Sequence, residues 1–190
     1  VVDLSDEIAY DNHDLDDGLT SGLLKEEDLD KVTLWREAKK TVRGRSLSPQ
    51  MRKYQIIRTL VNWEVTDLVN CSLKNIRRRR LRRPSDAMGL DSFTITFSPE
   101  LTAKRNELRV FLMERLYRHY RVVRMTDKAR RFLRELFDVY LSRPEQLPPG
   151  SQKRLKAEGP HRVICDYLAG MTDRYAQDEY RKFFQPFEKV

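Results

Sequence analysis

The chain has 190 residues, 39% of them hydrophobic and 35% charged, and a formal net charge of +8. That is long enough to bury a core and charge-rich in the manner of a water-facing helical protein. No apolar run approaches the roughly 18 residues that a bilayer-spanning helix needs, and Cys71 and Cys165 stand alone without a C-x-x-C spacing, which gives no support to a zinc or dithiol motif and fits two thiols in a reducing cytoplasm.

The charge is unevenly spread. Seven acids fall in the first seventeen residues, and no Lys or Arg appears before Lys25, so the remainder of the chain carries +15. Placed on a helix, Leu4, Ile8, Leu15 and Leu19 lie within about 60° of one another and form an apolar stripe. Asp6, Tyr10 and Asp14 stand at i, i+4, i+8 along one line of the opposite face, flanked by Asp3, Glu7 and Asp17. Like charges so stacked repel by a few tenths of a kcal/mol per pair. A metal or basic partner would relieve that repulsion, and a solvated acidic face would show the same pattern. Thr20-Ser-Gly22 breaks the helix, and residues 26–40 resume it with Leu29, Val32 and Trp35 on one side. Arg43 to Pro49 reads as a loop in which Ser48 caps and Pro49 opens the next helix. That helix is long, with Met51, Tyr54, Ile57, Val61, Val65 and Leu68 as its apolar face. It runs into Lys74 to Arg83, where seven of ten residues are basic. The segment suits phosphate neutralisation on nucleic acid without sequence preference. It also suits the solvated C-terminal end of a helix.

Residues 84–98 read as irregular. Phe93-Thr-Ile95-Thr-Phe97 alternates like a short strand without a partner and is expected to be an extended segment pinning three apolar side chains. Ser98-Pro99 caps a helix whose core stripe is Leu108, Phe111, Leu112 and Leu116, with Arg109, Met113 and Tyr117 at i, i+4, i+8 beside it. Thr126-Asp127 is expected to cap a further helix, with Phe132, Leu133, Leu136, Phe137 and Tyr140 inward. Arg143 to Ser151 is the plainest break, and Gly159-Pro160 starts the last helices. Gly170 within a helical pattern costs about 1 kcal/mol against Ala, which a close neighbour would justify.

Three segments carry a resemblance. Asp6-Glu-Ile-Ala-Tyr10-Asp-Asn-His-Asp14, Leu108 to Val122 with its Leu116-Tyr-Arg-His119, and Asp166-Tyr-Leu-Ala-Gly-Met-Thr-Asp-Arg174 followed by Glu179-Tyr180 are similar, in that order, to the deoxynucleotide triphosphohydrolases of the HD superfamily. The resemblance implies an all-α fold. It divides the chain into residues 1–45, the end of the HD catalytic core, and 46–190, a helical region on that core in one continuous unit. It implies hydrolysis of a deoxynucleoside triphosphate to deoxynucleoside and inorganic triphosphate, helped by a divalent metal, Mg²⁺ or Mn²⁺.

Carried over residue by residue, Asp6 is the metal ligand. Tyr10 and Asp14 face the sugar and phosphates, Arg109 reaches the phosphates, and Tyr117 lies against the nucleoside. Asp173 and Arg174 are candidates for a pocket wall or a subunit contact. His13-Asp14 invites the label of the family's His-Asp motif, but the family's own His and His-Asp ligands lie well upstream of this helix. His13 is therefore read as a polar-face or site-edge residue and not as a metal ligand. The resemblance also implies a homo-oligomer, and a chain that carries the C-terminal part of a longer enzyme and is inactive alone. A basic helical module binding nucleic acid through Arg77–Arg83, or an oligomerisation region, is the competing expectation.

Overall fold

In the computed structural model, which describes residues 1–42 and 47–188, every regular element among the described residues is helical. Arg43–Ser46 of the expected loop lie outside them. The chain forms two compact units in succession, Val1–His119 and Tyr120 onward. One apolar cluster runs from Ile8 to Leu116 and ties the first three helices of the first unit to its later ones.

In the first unit α1 spans Val2–Thr20, α2 Glu26–Leu29, α3 Thr33–Val42, α4 Pro49–Arg78, α5 Ser85–Met88 and α6 Pro99–Leu112. The stretch 26–40 is therefore two helices. The core is made by Leu15, Leu29, Leu34, Trp35, Ile56, Leu60, Leu108 and Leu112, all buried, with Leu4 and Leu19 of the α1 stripe packed against it. Both Ser-Pro starts form as expected. The Ser48 hydroxyl accepts from the Met51 amide at 3.3 Å, and the Ser98 hydroxyl from the Leu101 amide at 3.2 Å. Each satisfies an amide that the first helical turn would leave orphaned.

Helix α4 departs from expectation. Its buried line is Ile56, Leu60, Glu64, Leu68 and Ser72, whereas Met51, Tyr54 and Val65 are half exposed. The helix is apolar around more than half its circumference, so periodicity alone cannot say which face is covered. The second apolar face, with Tyr54, Val61, Val65 and Val69, borders an open groove beside Ser5 and Ala9 of α1.

Residues 93–97 form no strand, and the chain bends at Thr94 and Ile95 instead of running extended throughout. The Asn75 side chain donates to the Thr94 carbonyl at 3.1 Å and to the Thr96 hydroxyl at 3.2 Å. Ile95 and Phe97 pack on the core, but Phe93 is 88% exposed, so two apolar side chains are pinned and not three.

The second unit holds α7 (Tyr120–Ser142), a 3₁₀ turn at Pro144–Gln146, α8 (Pro149–Gln152), α9 (Leu155–Glu158), α10 (Pro160–Ala169) and α11 (Asp173–Phe184). Thr126 and Asp127 lie inside α7, which starts six residues earlier than the expected cap. Leu136, Tyr140, Leu147, Val163 and Ile164 form the core, and Leu133 stays partly exposed. The Tyr140 hydroxyl donates to the buried Glu179 carboxylate at 2.7 Å. Gly170 comes directly after the last residue of α10, and the Thr172 hydroxyl starts α11 by accepting from the Tyr175 amide at 3.2 Å. Gly170 therefore bears no helix-interior cost.

Candidate active site

Helix α1 turns its apolar stripe to the core and leaves the line Asp6, Tyr10, Asp14 outside it. Between stripe and line, Glu7 and Asp11 face α6. Helix α6 presents Arg105 and Arg109, one turn apart, to those two acids. Beyond Leu112 the chain enters a π turn, Met113–Tyr117, marked by the Arg118 amide donating to the Met113 carbonyl at 3.1 Å. Such wide turns are common at functional sites, and the sequence pattern, read as a plain helix, gave no sign of it.

Asp6, Tyr10, Arg109 and Tyr117 line one cleft of about 250 Å³, together with Glu7, Asp11, Leu112 and Met113. The fifth residue singled out in the sequence, Asp14, accepts a hydrogen bond from the Tyr117 hydroxyl. Burial and the neighbouring Asp14 carboxylate both push the Tyr117 phenol well above its ordinary value. Arg109 donates through Nε to both Asp11 oxygens, at 3.0 and 3.2 Å, and through Nη2 to Glu7 at 2.7 Å. Burial works to raise the Glu7 carboxyl, but its bonds to Arg109 and Arg105 outweigh it and hold the group below the ordinary carboxylate range. Tyr10 is 61% exposed at the cleft mouth. His13 borders the groove against α4 instead. Asp173 and Arg174 are both exposed at the start of α11 in the second unit.

The described residues contain no group of three or more His, Cys, Asp or Glu side chains able to hold a metal ion. Asp6 makes no ion pair among the described residues, while Glu7 and Asp11 are engaged by arginines. The donor set present offers one uncommitted carboxylate and does not hold a divalent cation by itself.

Beneath the cleft lies a charge network that the sequence pattern did not reveal. Arg105, 3% exposed, donates to Glu64 at 2.9 Å and to Asp11 at 2.7 Å, with Glu7 at 3.5 Å. Its guanidinium lies 4.2 Å from the Phe97 ring centroid. Asn12 donates to the other Glu64 oxygen at 2.5 Å. Burial pushes the fully enclosed Glu64 carboxyl above its usual range, against the pull of Asn12 and Arg105. A signal existed. Glu64 interrupts the stripe Ile56, Leu60, Leu68, and Arg105 interrupts Leu101, Leu108, Leu112. Opposite charges at core positions of two helices announce a buried pair.

The arginine run wraps the end of α4. Arg77, Arg78, Arg80, Arg82 and Arg83 are exposed, and Arg79 is tied to Ser92 at 2.6 Å and 3.1 Å. No helix among the described residues is long and apolar enough to cross a membrane.

A family profile described as a phosphohydrolase-associated domain matches residues 95–182. The chain is 44% identical along its full length to a deoxyguanosinetriphosphate triphosphohydrolase-like protein of Geobacter metallireducens, covering 50% of that protein. It is 38% identical to the protein of the same name from Geobacter sulfurreducens, again over the full chain and 50% of the relative. One from Azoarcus sp. strain BH72 is 40% identical over 97% of the chain and 48% of its own length. These matches bear out the resemblance to the deoxyguanosinetriphosphate triphosphohydrolase-like proteins. The chain spans about half the length of the curated relatives it matches.

Proposed function

We propose that this chain supplies one wall of the active site of a phosphohydrolase, and more narrowly of a deoxynucleoside triphosphate triphosphohydrolase. The observation that carries the reading is that two i, i+4, i+8 lines from separate helices meet at one cleft, Asp6-Tyr10-Asp14 from α1 and Arg109-Met113-Tyr117 from α6 and its π turn. The relatives' names and the phosphohydrolase-associated domain support the same class.

In this reading Asp6 is one ligand of Mg²⁺ or Mn²⁺, the others coming from the part of the longer relatives that this chain does not span. Arg109 keeps Nε and Nη2 on the two acids and turns Nη1 toward triphosphate oxygens, where a guanidinium neutralises charge in a partly dry cleft. Asp14 orients the Tyr117 ring by accepting a hydrogen bond from its hydroxyl, so that the ring lies against the nucleoside. Tyr10 and Asp14 close on the sugar, and a tightly filled site there disfavours a ribose with its extra hydroxyl. The exposed arginines around the end of α4 add non-specific contact to nucleic acid, which would weaken steeply with salt.

The test is inorganic triphosphate release by the full-length protein carrying this chain. Wild type and Asp6→Ala are each incubated with the four deoxynucleoside triphosphates and Mg²⁺ or Mn²⁺. Release by wild type and its loss in Asp6→Ala are expected, and residues 1–190 alone should release none. Release that survives Asp6→Ala would remove Asp6 from the chemistry. No release with any nucleotide or metal would overturn the proposal.

A further inference from the structure

We propose that Arg105, a residue that does not reach the cleft, is the positioning residue for Arg109 and sets the phosphate-facing guanidinium through their shared partner Asp11. The proposal rests on the triphosphohydrolase reading for what Arg109 does, and on geometry for how it is held.

The two arginines stand one turn apart on α6 and face two acids one turn apart on α1. Arg105 is the fixed member. All three of its nitrogens are engaged, Nε by Glu64 on α4 at 2.9 Å, Nη2 by Asp11 at 2.7 Å and Nη1 by Glu7 at 3.5 Å. Phe97 covers its face, and it is 3% exposed. Arg109 is the loose member, with a side chain 37% exposed. Two acids keep it from swinging into solvent, Glu7 at 2.7 Å and Asp11, whose Oδ2 it shares with Arg105 at 3.0 Å.

Asp11 therefore has its rotamer fixed from below by a buried guanidinium and offers its remaining valence to the exposed one. Glu64 closes the arrangement from the far side. It is wholly buried, held at its second oxygen by Asn12 at 2.5 Å, and it fixes the direction of the Arg105 fork. A planar fork holds Glu64 and Asp11 at once in fixed directions, whereas a lysine ammonium, a single point on a flexible stem, can donate to both without fixing either direction. The three helices that bear these residues are thus keyed to one another at the base of the cleft, and small displacements there reach the reacting groups. Misplacement of a substrate-holding group by about 1 Å can cost on the order of 100-fold in rate.

The experiment is a kinetic double-mutant cycle in the full-length protein, with Arg105→Lys, Arg109→Ala and the pair, reading triphosphate release against nucleotide concentration. Arg105→Lys should raise KM by roughly 10-fold to 100-fold with a smaller change in kcat. On the Arg109→Ala background it should add almost nothing, because the group it positions is gone. An equal loss on both backgrounds would show that Arg105 only holds the fold together and would overturn the proposal. Glu64→Gln, which keeps the side-chain shape, replaces Arg105→Lys if the latter does not fold, and the same non-additivity is expected. If wild type releases no triphosphate, the functional reading falls, and crystal structures of the same variants decide the positioning. Displacement of Arg109 from Asp11 sustains it, and retention of both Arg109–Asp11 bonds overturns it.

Discussion

Gly18 gives the sharpest test of how α1 is seated. A methyl group added there would meet Leu24 Cδ1 at 2.6 Å and Cγ at 2.8 Å, with Leu116 Cδ1 at 3.4 Å. Ordinary carbon contacts are about 3.5–4.0 Å, so Leu24 must yield by close to an ångström. It cannot do so freely. Leu24 is 4% exposed, and its amide donates to the Gly18 carbonyl at 2.9 Å, which ties its backbone to the residue that would push it.

Two effects compete. Alanine in a helix interior is favoured over glycine by about 0.5–1 kcal/mol, and overpacking a filled core costs about 1–3 kcal/mol. Overpacking wins, and Gly18→Ala should lose about 1 kcal/mol, with a range of roughly 0–2.5. Urea unfolding monitored by tryptophan fluorescence measures it. Both tryptophans, Trp35 and Trp63, pack in the first unit's core, so the signal reports that unit alone. Gly170→Ala, in the second unit and so followed by far-ultraviolet circular dichroism rather than tryptophan fluorescence, is the comparison, since a methyl there meets only the Asp166 and Tyr167 carbonyl oxygens at 3.4 and 3.6 Å and should be close to neutral. A Gly18→Ala protein more stable than wild type would refute the packing argument, because helix propensity would then have prevailed over contact.

The charge network and the phenol each give a further expectation. Glu64→Ala leaves Arg105 Nε without its partner in the core while Asp11 and Glu7 still hold the other two nitrogens, so the loss should fall at or below the low end of the roughly 3–5 kcal/mol that breaking a buried ion pair costs, which the same urea titration reads. The Tyr117 phenol, ordinarily at 10.0, is raised by burial and Asp14. A raised folded value means that its stabilisation is fully present below pH 10 and fades as the pH climbs through the higher folded value. The stability gap between wild type and Tyr117→Phe should therefore be flat from pH 7 to pH 9 and narrow above 10, and Tyr117→Phe should remove one late component from the 295 nm phenolate titration.

The amphipathic frame was legible because local rules decide it. Leu4, Ile8, Leu15 and Leu19 lie on the side of α1 that the core takes, and the Ser48-Pro49 and Ser98-Pro99 starts are settled within four residues of backbone. Where a helix is apolar on two sides, as α4 is, the choice of buried face depends on neighbours distant in sequence. The start of α7 failed for a related reason. A Thr-Asp pair is a good cap only if the preceding turn is not already helical, and residues 120–125 are. Of the site, the lines Asp6-Tyr10-Asp14 and Arg109-Tyr117 were visible as spacings. The acids that hold Arg109 were read only as part of an acidic face, since nothing local distinguishes a paired carboxylate from a solvated one.

The wide turn at Met113–Tyr117 bears on how this helix tolerates changes of length. In an α-helix one inserted residue rotates everything beyond it by about 100°, carrying core side chains into water. A π turn holds such an extra residue as a local bulge, so that Leu108 and Leu112 before it and Leu116 within it all stay buried. Loss of one amino acid in that segment would close the bulge and leave α6 before it facing as before, while the same deletion a turn earlier, among Arg105 to Arg109, would throw the two arginines out of phase with α1. Gains and losses of single residues between related chains are thus expected to gather at 113–117 and to spare the turn before it.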